Sequence, residues 1–374
     1  MSKALNRLIE RVRSARASGT PLAIRGSGTK SFYGEAIQGE PLDMRELSGI
    51  SSYEPSELVI TVRAGTALAD VEAALAERGQ CLAFEPPRHA DPERPGVRGA
   101  TIGGVVAAGL AGPARVSVGS VRDFVLGATL LNGQAEVLSF GGQVMKNVAG
   151  YDVSRLLAGS MGVLGAICEV SLKVLPEPAA SVTLRMECDE AQAIDALQRL
   201  GGQPLPINAS AWWQGSLVLR LSGAAAAVIA AQRQLHGEVI EPPLSDRFWT
   251  GLRDQTDEFF VESRKSLMSE GAALWRVSVP AGAPPLPLQG EQLIEWGGAL
   301  RWWVTRDGAA RVREVARSVG GHATLFRARD KAAVLQGAPV FEPLKEPLDR
   351  IHRELKLAFD PDRLFNRGRF YPDL

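Results

Sequence analysis

Apolar positions recur at two different periods along this chain, and the alternation divides it into elements. In MSKALNRLIERVRSARASG, Leu5, Leu8, Ile9 and Val12 share one face of a charged stretch, which predicts an amphipathic helix packed on its own domain. LAIRGSGTKSFYG (22–34) reads as a short strand running into a glycine loop. LVITVRAGT (58–66) alternates as a strand does, and ALADVEAALAERG (67–79) reads as a helix with a glycine stop. CLAFEPPRHADPERPG dissolves into a proline-rich loop. FVLGATLLNGQAEVLSF (124–140) predicts two strands around Asn132-Gly133, a strong hairpin signal. VSRLLAGSMG then reads as a short helix, and LGAICEVSLKVLP (164–176) as a strand ending at a proline.

PEPAAS (176–181) marks a boundary, because the rhythm changes beyond it. TLRMECD, DEAQAIDALQRLGG, SAWWQG, LVLRLSG and AAAAVIAAQRQLHGE give strand–helix–strand–strand–helix. ALWRVSVP, ALRWWVTRDG, GAARVREVARSVGG and HATLFRA continue in the same style. The pattern predicts an α+β domain with a mostly antiparallel, roughly ferredoxin-like sheet. The last helix, EPLDRIHRELKLAFD, leads to PDRLFNRGRFYPDL, a tail rich in turn and aromatic residues that should dock rather than trail. The expected domains are 1–178, 179–340 and a C-terminal helix and tail over 341–374.

Composition removes several function classes. Lys+Arg and Asp+Glu balance at 42 each, so there is no basic field for nucleic acid. Near-neutrality also fits a protein that works inside a complex. Cys81, Cys168 and Cys188 are far apart and form no C-x-x-C pair, so neither a disulfide framework nor an iron–sulfur site is indicated. A reducing, cytoplasmic setting is the simple expectation, because the charged N-terminus has no apolar core of a signal peptide. GATIGGVVAAGLAGP (99–113) lacks charge, yet it is shorter than the ~20 residues a bilayer needs. Arg98 and Arg115 close it at both ends.

Two glycine clusters carry the candidate chemistry. Arg25-Gly26-Ser27-Gly28 lacks the third glycine of a dinucleotide fingerprint, since Ser31 stands there, and no P-loop G-K-[ST] exists. Gly26, Ser27, Gly28 and Thr29 still form a loop whose N–H groups can turn toward one anion. Thr101, Gly103 and Gly104 can do the same at the start of a short helix. Two such loops suit a pyrophosphate, although each alone is equally well read as a tight turn.

Taken in order, LAIRGSGTK, GATIGGVVAAG with SVGSVRDFVLGATLLNGQ, and KNVAGYDVSRLLAGSMGVLGAICEVSLKVLP resemble the FAD-binding domain of the vanillyl-alcohol oxidase/PCMH flavoprotein superfamily. The likeness spans roughly residues 1–180, and the ending FDPDRLFNRGRFY resembles a shortened C-terminal domain of FAD-linked oxidases. The resemblance implies that Arg25, Gly26, Ser27, Gly28 and Thr29, with Gly103, Gly104 and Gly109, hold the FAD pyrophosphate. It places Pro86, Pro87, Ala100 and Thr101 along the isoalloxazine and ribityl edge. Gly119, Arg122 and Asp123 fall where the family approaches adenosine. Gly162, Gly165 and Ile167 fall beside the flavin, and Asn366 returns to its ring. Relatives that attach FAD covalently use a His or Cys; Thr29 stands in the first loop here, and no Cys lies between Cys81 and Cys168, so FAD is expected to be non-covalent.

The implied activity is oxidation of a small 2-hydroxy acid such as glycolate, with the flavin supplying the redox chemistry. A substrate carboxylate would need a cation, best an Arg fork. Arg276 in WRVS is the candidate, because alternation puts it on the face opposite Trp275 and Val277. Arg301, in RWW, reads as solvent-facing or paired with an acid. No metal is expected, since the H-x-G-D-G-N-x-H cluster of related dehydrogenases is missing and His89, His236, His322 and His352 are scattered. Two readings follow: a stand-alone FAD-dependent oxidoreductase, or an FAD-binding subunit serving a larger FAD-containing catalytic subunit and an iron–sulfur subunit, peripheral to a membrane only through that complex. The missing clusters and short second domain favour the subunit. An FAD-free scaffold is the weaker third.

Overall fold

The computed structural model describes residues 2–89, 99–142, 152–269 and 271–374. Part of the proline-rich loop and the KNVAGY start of the closing segment therefore lie outside the described residues. The chain forms two compact units: Met1–Ala111, Gly119–Pro176 and Pro343–Leu374 in one, Gly112–Val118 and Glu177–Glu342 in the other. The expected domain plan differs at one place. Residues 112–118, at the end of the glycine stretch, join the second unit. The C-terminal helix and tail complete the first.

In the first unit, a five-stranded antiparallel sheet runs in the order Ile50–Glu54, Val59–Arg63, Ala166–Lys173, Val125–Leu131, Val137–Gly141. Its middle strand is AICEVSLK, and the near-continuous apolar run reflects burial on both faces. A separate parallel pair joins Leu22–Arg25 to Glu40–Asp43, and Leu22 bridges on to Phe365 of the tail. Helix Lys3–Ser18 is capped by Ser2 and stopped by Gly19 in the left-handed region. It buries Leu8, Ile9, Val12 and Ala15 against Leu22, Leu42, Leu131 and Phe365, so the predicted stripe packs on its own unit.

The Asn132-Gly133 hairpin forms, but not as a two-residue turn. Residues 132–136 make the loop, Asn132 Oδ1 accepts from the N–H groups of Gln134 and Glu136, and the positive φ falls at Ala135. Gly133 is needed for another reason: a Cβ there would lie 2.3 Å from Asp360 Oδ1, where the tail packs. Gly133 N–H also donates to Phe359 O at 2.9 Å.

The second unit contains one eight-stranded sheet built from two ferredoxin-like halves. Ala180–Glu187, Ile207–Trp213, Ser216–Gly223 and Glu238–Ile240 form the first, with helices Glu190–Gly201 and Ala225–Leu235 between them. Ala273–Ser278, Glu291–Glu295, Leu300–Thr305 and His322–Ala328 form the second, with helix Ala309–Ser318. Each half has the spatial order fourth-first-third-second, and the two second strands meet edge to edge. That seam pairs only Ala211 with Glu295 and Trp212 with Ile294. In the second half the proline-rich VPAGAPPLPLQG replaces the first helix, which hid the repeat from the sequence reading. Strand Glu291–Glu295 and helices Pro242–Asp254 and Glu258–Ser269 were not anticipated either. Among the described residues, no helix is long and apolar enough to cross a membrane.

Candidate functional site

A cleft of about 250 Å³ opens in the first unit where strand Leu22–Arg25 ends. Four segments distant in sequence build it: the loop from Arg25 to Ser31, the start and exposed side of helix Ile102–Ala108, Met161-Gly162, and Asn366 and Arg369 of the tail. Arg25, Gly26, Ser27, Gly28, Thr29, Thr101, Gly104, Gly162 and Asn366 all line it. Lys30, Ser31 and Arg369 line it too, and the sequence reading missed them. Nothing local marks Arg369; only the fold brings it to residues 30–35.

The first loop lies against the second. A Cβ on Gly26 would fall 2.1 Å from Thr101 Oγ1, and Gly28 has φ +77°, so both positions favour glycine. Ser27 Oγ donates to the carbonyl of Gly99, which ties the two loops together. Thr101 caps helix Ile102–Ala108, its Oγ1 accepting from Gly104 N–H at 3.4 Å. Met161 N–H donates to Ala107 O at 2.8 Å, which closes the third side.

Asn366 fastens the tail to this frame. Its Oδ1 accepts from Ile24 N–H at 2.8 Å and its Nδ2 donates to Met161 O at 2.7 Å. Both ends of the amide are thus committed to the frame, and a Cβ on Gly162 would lie 2.6 Å from that Nδ2. Beneath it, Lys356 and Asp360 form a wholly buried ion pair of 2.8 Å. Lys356 Nζ also donates to Val163 O at 2.6 Å and Phe365 O at 2.9 Å. Asp360 in turn accepts from the N–H groups of Leu364 and Phe365. This cluster clamps the tail to the closing segment.

Other predicted residues have different surroundings. Gly103 packs on Ala64, where a Cβ would lie 2.6 Å from the alanine's own, and its N–H donates to Ala64 O at 2.8 Å. That donor is spent inside the protein. Gly109, at φ +63°, ends the helix against Gly159, and Gly165 passes 2.7 Å (Cβ position) from Leu131 O. Ile167 is buried in the central strand, while Pro86, Pro87 and Ala100 are buried outside the cleft lining. Asp123 serves its own turn: Ser120 N–H and Oγ donate to Oδ2 at 2.7 and 2.9 Å. Burial pushes this carboxyl upward, but the Ser120 bonds with Arg155 and Arg122 outweigh it and hold the group below its usual range. A Cβ on Gly119 would lie 3.0 Å from that same carboxylate, and Arg122 is exposed.

The charge in the cleft has one sign. Arg25, Lys30 and Arg369 line it, and among the described residues no Asp or Glu does. Arg369 is 5% exposed, and burial pushes its guanidinium down to about 10, still charged at neutral pH.

In the second unit, Arg276 points away from the fully buried Trp275 and Val277, as alternation predicts. Its guanidinium lies 5.1 Å from the centre of the Trp296 ring, and that of Arg115 lies at 4.6 Å. Trp296 Nε1 donates to Gly112 O at 3.0 Å, so residues 112–118 are held by this indole. Arg276 forms no ion pair among the described residues. Arg301, by contrast, is fully buried and donates to Gly298 O, Ala283 O and Glu190, which is a structural role. A larger cavity of about 380 Å³ lies beside Trp213 and Phe259, but Glu262, Glu291 and Asp307 against Arg306 give it the wrong charge for a phosphate. Among the described residues, no group of His, Cys, Asp or Glu is placed to hold a metal ion.

The comparisons with known proteins agree with an FAD-binding domain. The FAD binding domain family matches residues 3–141. Glycolate oxidase subunit GlcE of Escherichia coli K12 is 45% identical over 98% of this chain and 97% of that protein. Glycolate oxidase subunit GlcD of Bacillus subtilis is 32% identical, over 44% of this chain and 34% of that protein. A solved alkyldihydroxyacetonephosphate synthase shares the fold, with a TM-score of 0.64 at 14% identity, covering 96% of this chain and 73% of that one. A chain with an FAD binding domain and this near-complete match to one oxidase subunit belongs to the glycolate oxidase subunit GlcE family, within the PCMH-type FAD-dependent oxidoreductases.

Proposed function

We propose that the chain is the FAD-holding subunit of a complex that oxidises glycolate or a similar 2-hydroxy acid, and that it binds FAD non-covalently in the cleft of the first unit. The observation that carries this reading is the cleft's charge: among the described residues, three cations and no carboxylate surround a glycine turn with no room for a Cβ. Such a lining fits a diphosphate, which needs close backbone approach and positive charge. Among the described residues, no His or Cys stands in the lining, which supports non-covalent attachment. When bound, FAD supplies the capacity to take two electrons from the substrate and pass them on. The chain's residues supply the cradle: Gly26 and Gly28 keep it open, Ser27 ties its loops together, and Asn366 fixes its far wall.

The partners in this reading are a larger FAD-containing catalytic subunit and an iron–sulfur subunit, with the chain cytoplasmic and reaching a membrane only through them. The family membership supports a subunit role. One observation favours the second reading, a chain that oxidises substrate itself. Arg276 and Arg115 flank one indole, and Arg276 has no carboxylate partner among the described residues, so a substrate carboxylate would suit it.

The test is direct. Purified alone, the chain should show flavin absorbance, and its absence would sink the FAD reading. Anaerobic glycolate or D-lactate should leave that flavin oxidised. Rapid bleaching in the isolated chain, abolished by Arg276→Met, would instead establish the second reading.

A further inference from the structure

We infer that Arg369 is a phosphate anchor, the buried charge through which the end of this chain holds the diphosphate of its cofactor; the inference rests on the FAD reading above. Arg369 lines the cleft yet is 5% exposed. Its Nη1 donates to Glu35 O, and its Nη2 donates to Lys30 O and Ser31 O, both at 3.1 Å. Among the described residues all of its side-chain hydrogen bonds end on backbone carbonyls, and it forms no ion pair. A guanidinium has five N–H groups, so two remain. Burying a cation with only neutral partners is costly unless a counter-charge arrives. Glu35 lies close enough to favour the charge, while Arg25 opposes it. An anion in the cleft supplies what is missing, and bidentate geometry makes arginine the fitting residue for a phosphate.

The same side chain has a second duty. The three carbonyls it holds belong to residues 30–35, and Lys30 and Ser31 form part of the cleft wall. Charge and wall-pinning are separable, because R369K keeps the charge while losing the fork that pins the wall, whereas R369M loses both. Riboflavin carries no phosphate, whereas FAD carries a diphosphate.

The full-length apoprotein is titrated with FAD and with riboflavin, following flavin fluorescence, for wild type, R369M, R369K and R367M. Arg367 is an exposed neighbour that donates to Arg363 O at 3.1 Å and serves as the control. The wild type should prefer FAD. R369M should reduce that preference at least tenfold, a loss of binding carried by FAD alone. R369K should weaken both flavins alike while keeping the preference, since it retains charge but loses the fork. R367M should match wild type. Equal weakening of both flavins by R369M, or no change, would overturn the inference. If R369M fails to fold by circular dichroism, R369K decides: a tenfold fall in its FAD preference would overturn the inference, and a retained preference would support it. A wild-type chain that binds no FAD would remove the FAD reading itself, a different and recognisable failure.

Discussion

At Gly26, contact between two loops leaves no space for a side chain, since a Cβ would sit 2.1 Å from Thr101 Oγ1. Gly26→Ala should therefore push the loops apart, at a cost of about 1–3 kcal/mol, the usual range for overpacking. We expect the ratio of flavin to protein absorbance to fall severalfold in Gly26→Ala, and to recover partly in Gly26→Ala/Thr101→Ala, which removes the crowding hydroxyl. Gly103 behaves differently, because it packs on Ala64 inside the protein. Loss of FAD from a bulky Gly103 variant would accompany a lowered melting temperature. Cys168 makes a pH prediction. Burial pushes its thiol from an ordinary 9.0 up to about 12, Leu131 N–H pulls it down and Glu169 pushes it up. The folded value is the higher one, so the stability it contributes is complete below pH 9 and is lost as pH rises toward 12. Cys168→Ala should flatten the alkaline stability loss in urea titrations between those limits. Iodoacetamide at pH 8 should spare Cys168 in the native protein and label it in denaturant, read by mass spectrometry.

At the scale of elements, the C-terminal helix Leu348–Phe359 buries Lys356 rather than a leucine. Its periodicity predicts the helix but not the polar anchor. Lys356→Met would leave Asp360 buried without its cation, and breaking one side of such a pair costs about 3–5 kcal/mol. The expected outcome is a large drop in the denaturation midpoint of the first unit, together with FAD loss, because the tail also carries Asn366 and Arg369 into the cleft. Tail docking and cofactor retention should fail together, as limited proteolysis monitored with flavin release would show. The hairpin at 124–140 teaches the same lesson in reverse. Asn132-Gly133 predicts two paired strands, and they form. Yet the glycine is there to admit Asp360 of the tail, some distance away in sequence, and no local pattern could reveal that.

At the scale of the whole molecule, a complex-forming role predicts that affinity-tagged chain at native expression brings down a larger flavoprotein and an iron–sulfur protein. Recovery of the chain alone, with full substrate turnover, would favour the stand-alone reading. Much of this architecture is determined by the sequence itself. Periodicity marks many of the strands and helices, PEPAAS marks where the second unit takes up the chain, and the two glycine loops mark segments that meet at the cleft. These are local properties, set by side-chain alternation and by backbone conformations that only glycine tolerates freely. What the tertiary structure decided is everything that depends on distant segments meeting. It assigned residues 112–118 to the second unit through Trp296, spent the Gly103 donor on Ala64, and paired two ferredoxin-like halves across a two-residue seam. It also brought Arg369 to a loop more than three hundred residues earlier in the chain. Hydrogen bonds and buried charges are satisfied by proximity in space, and sequence order carries no record of which partners will be near.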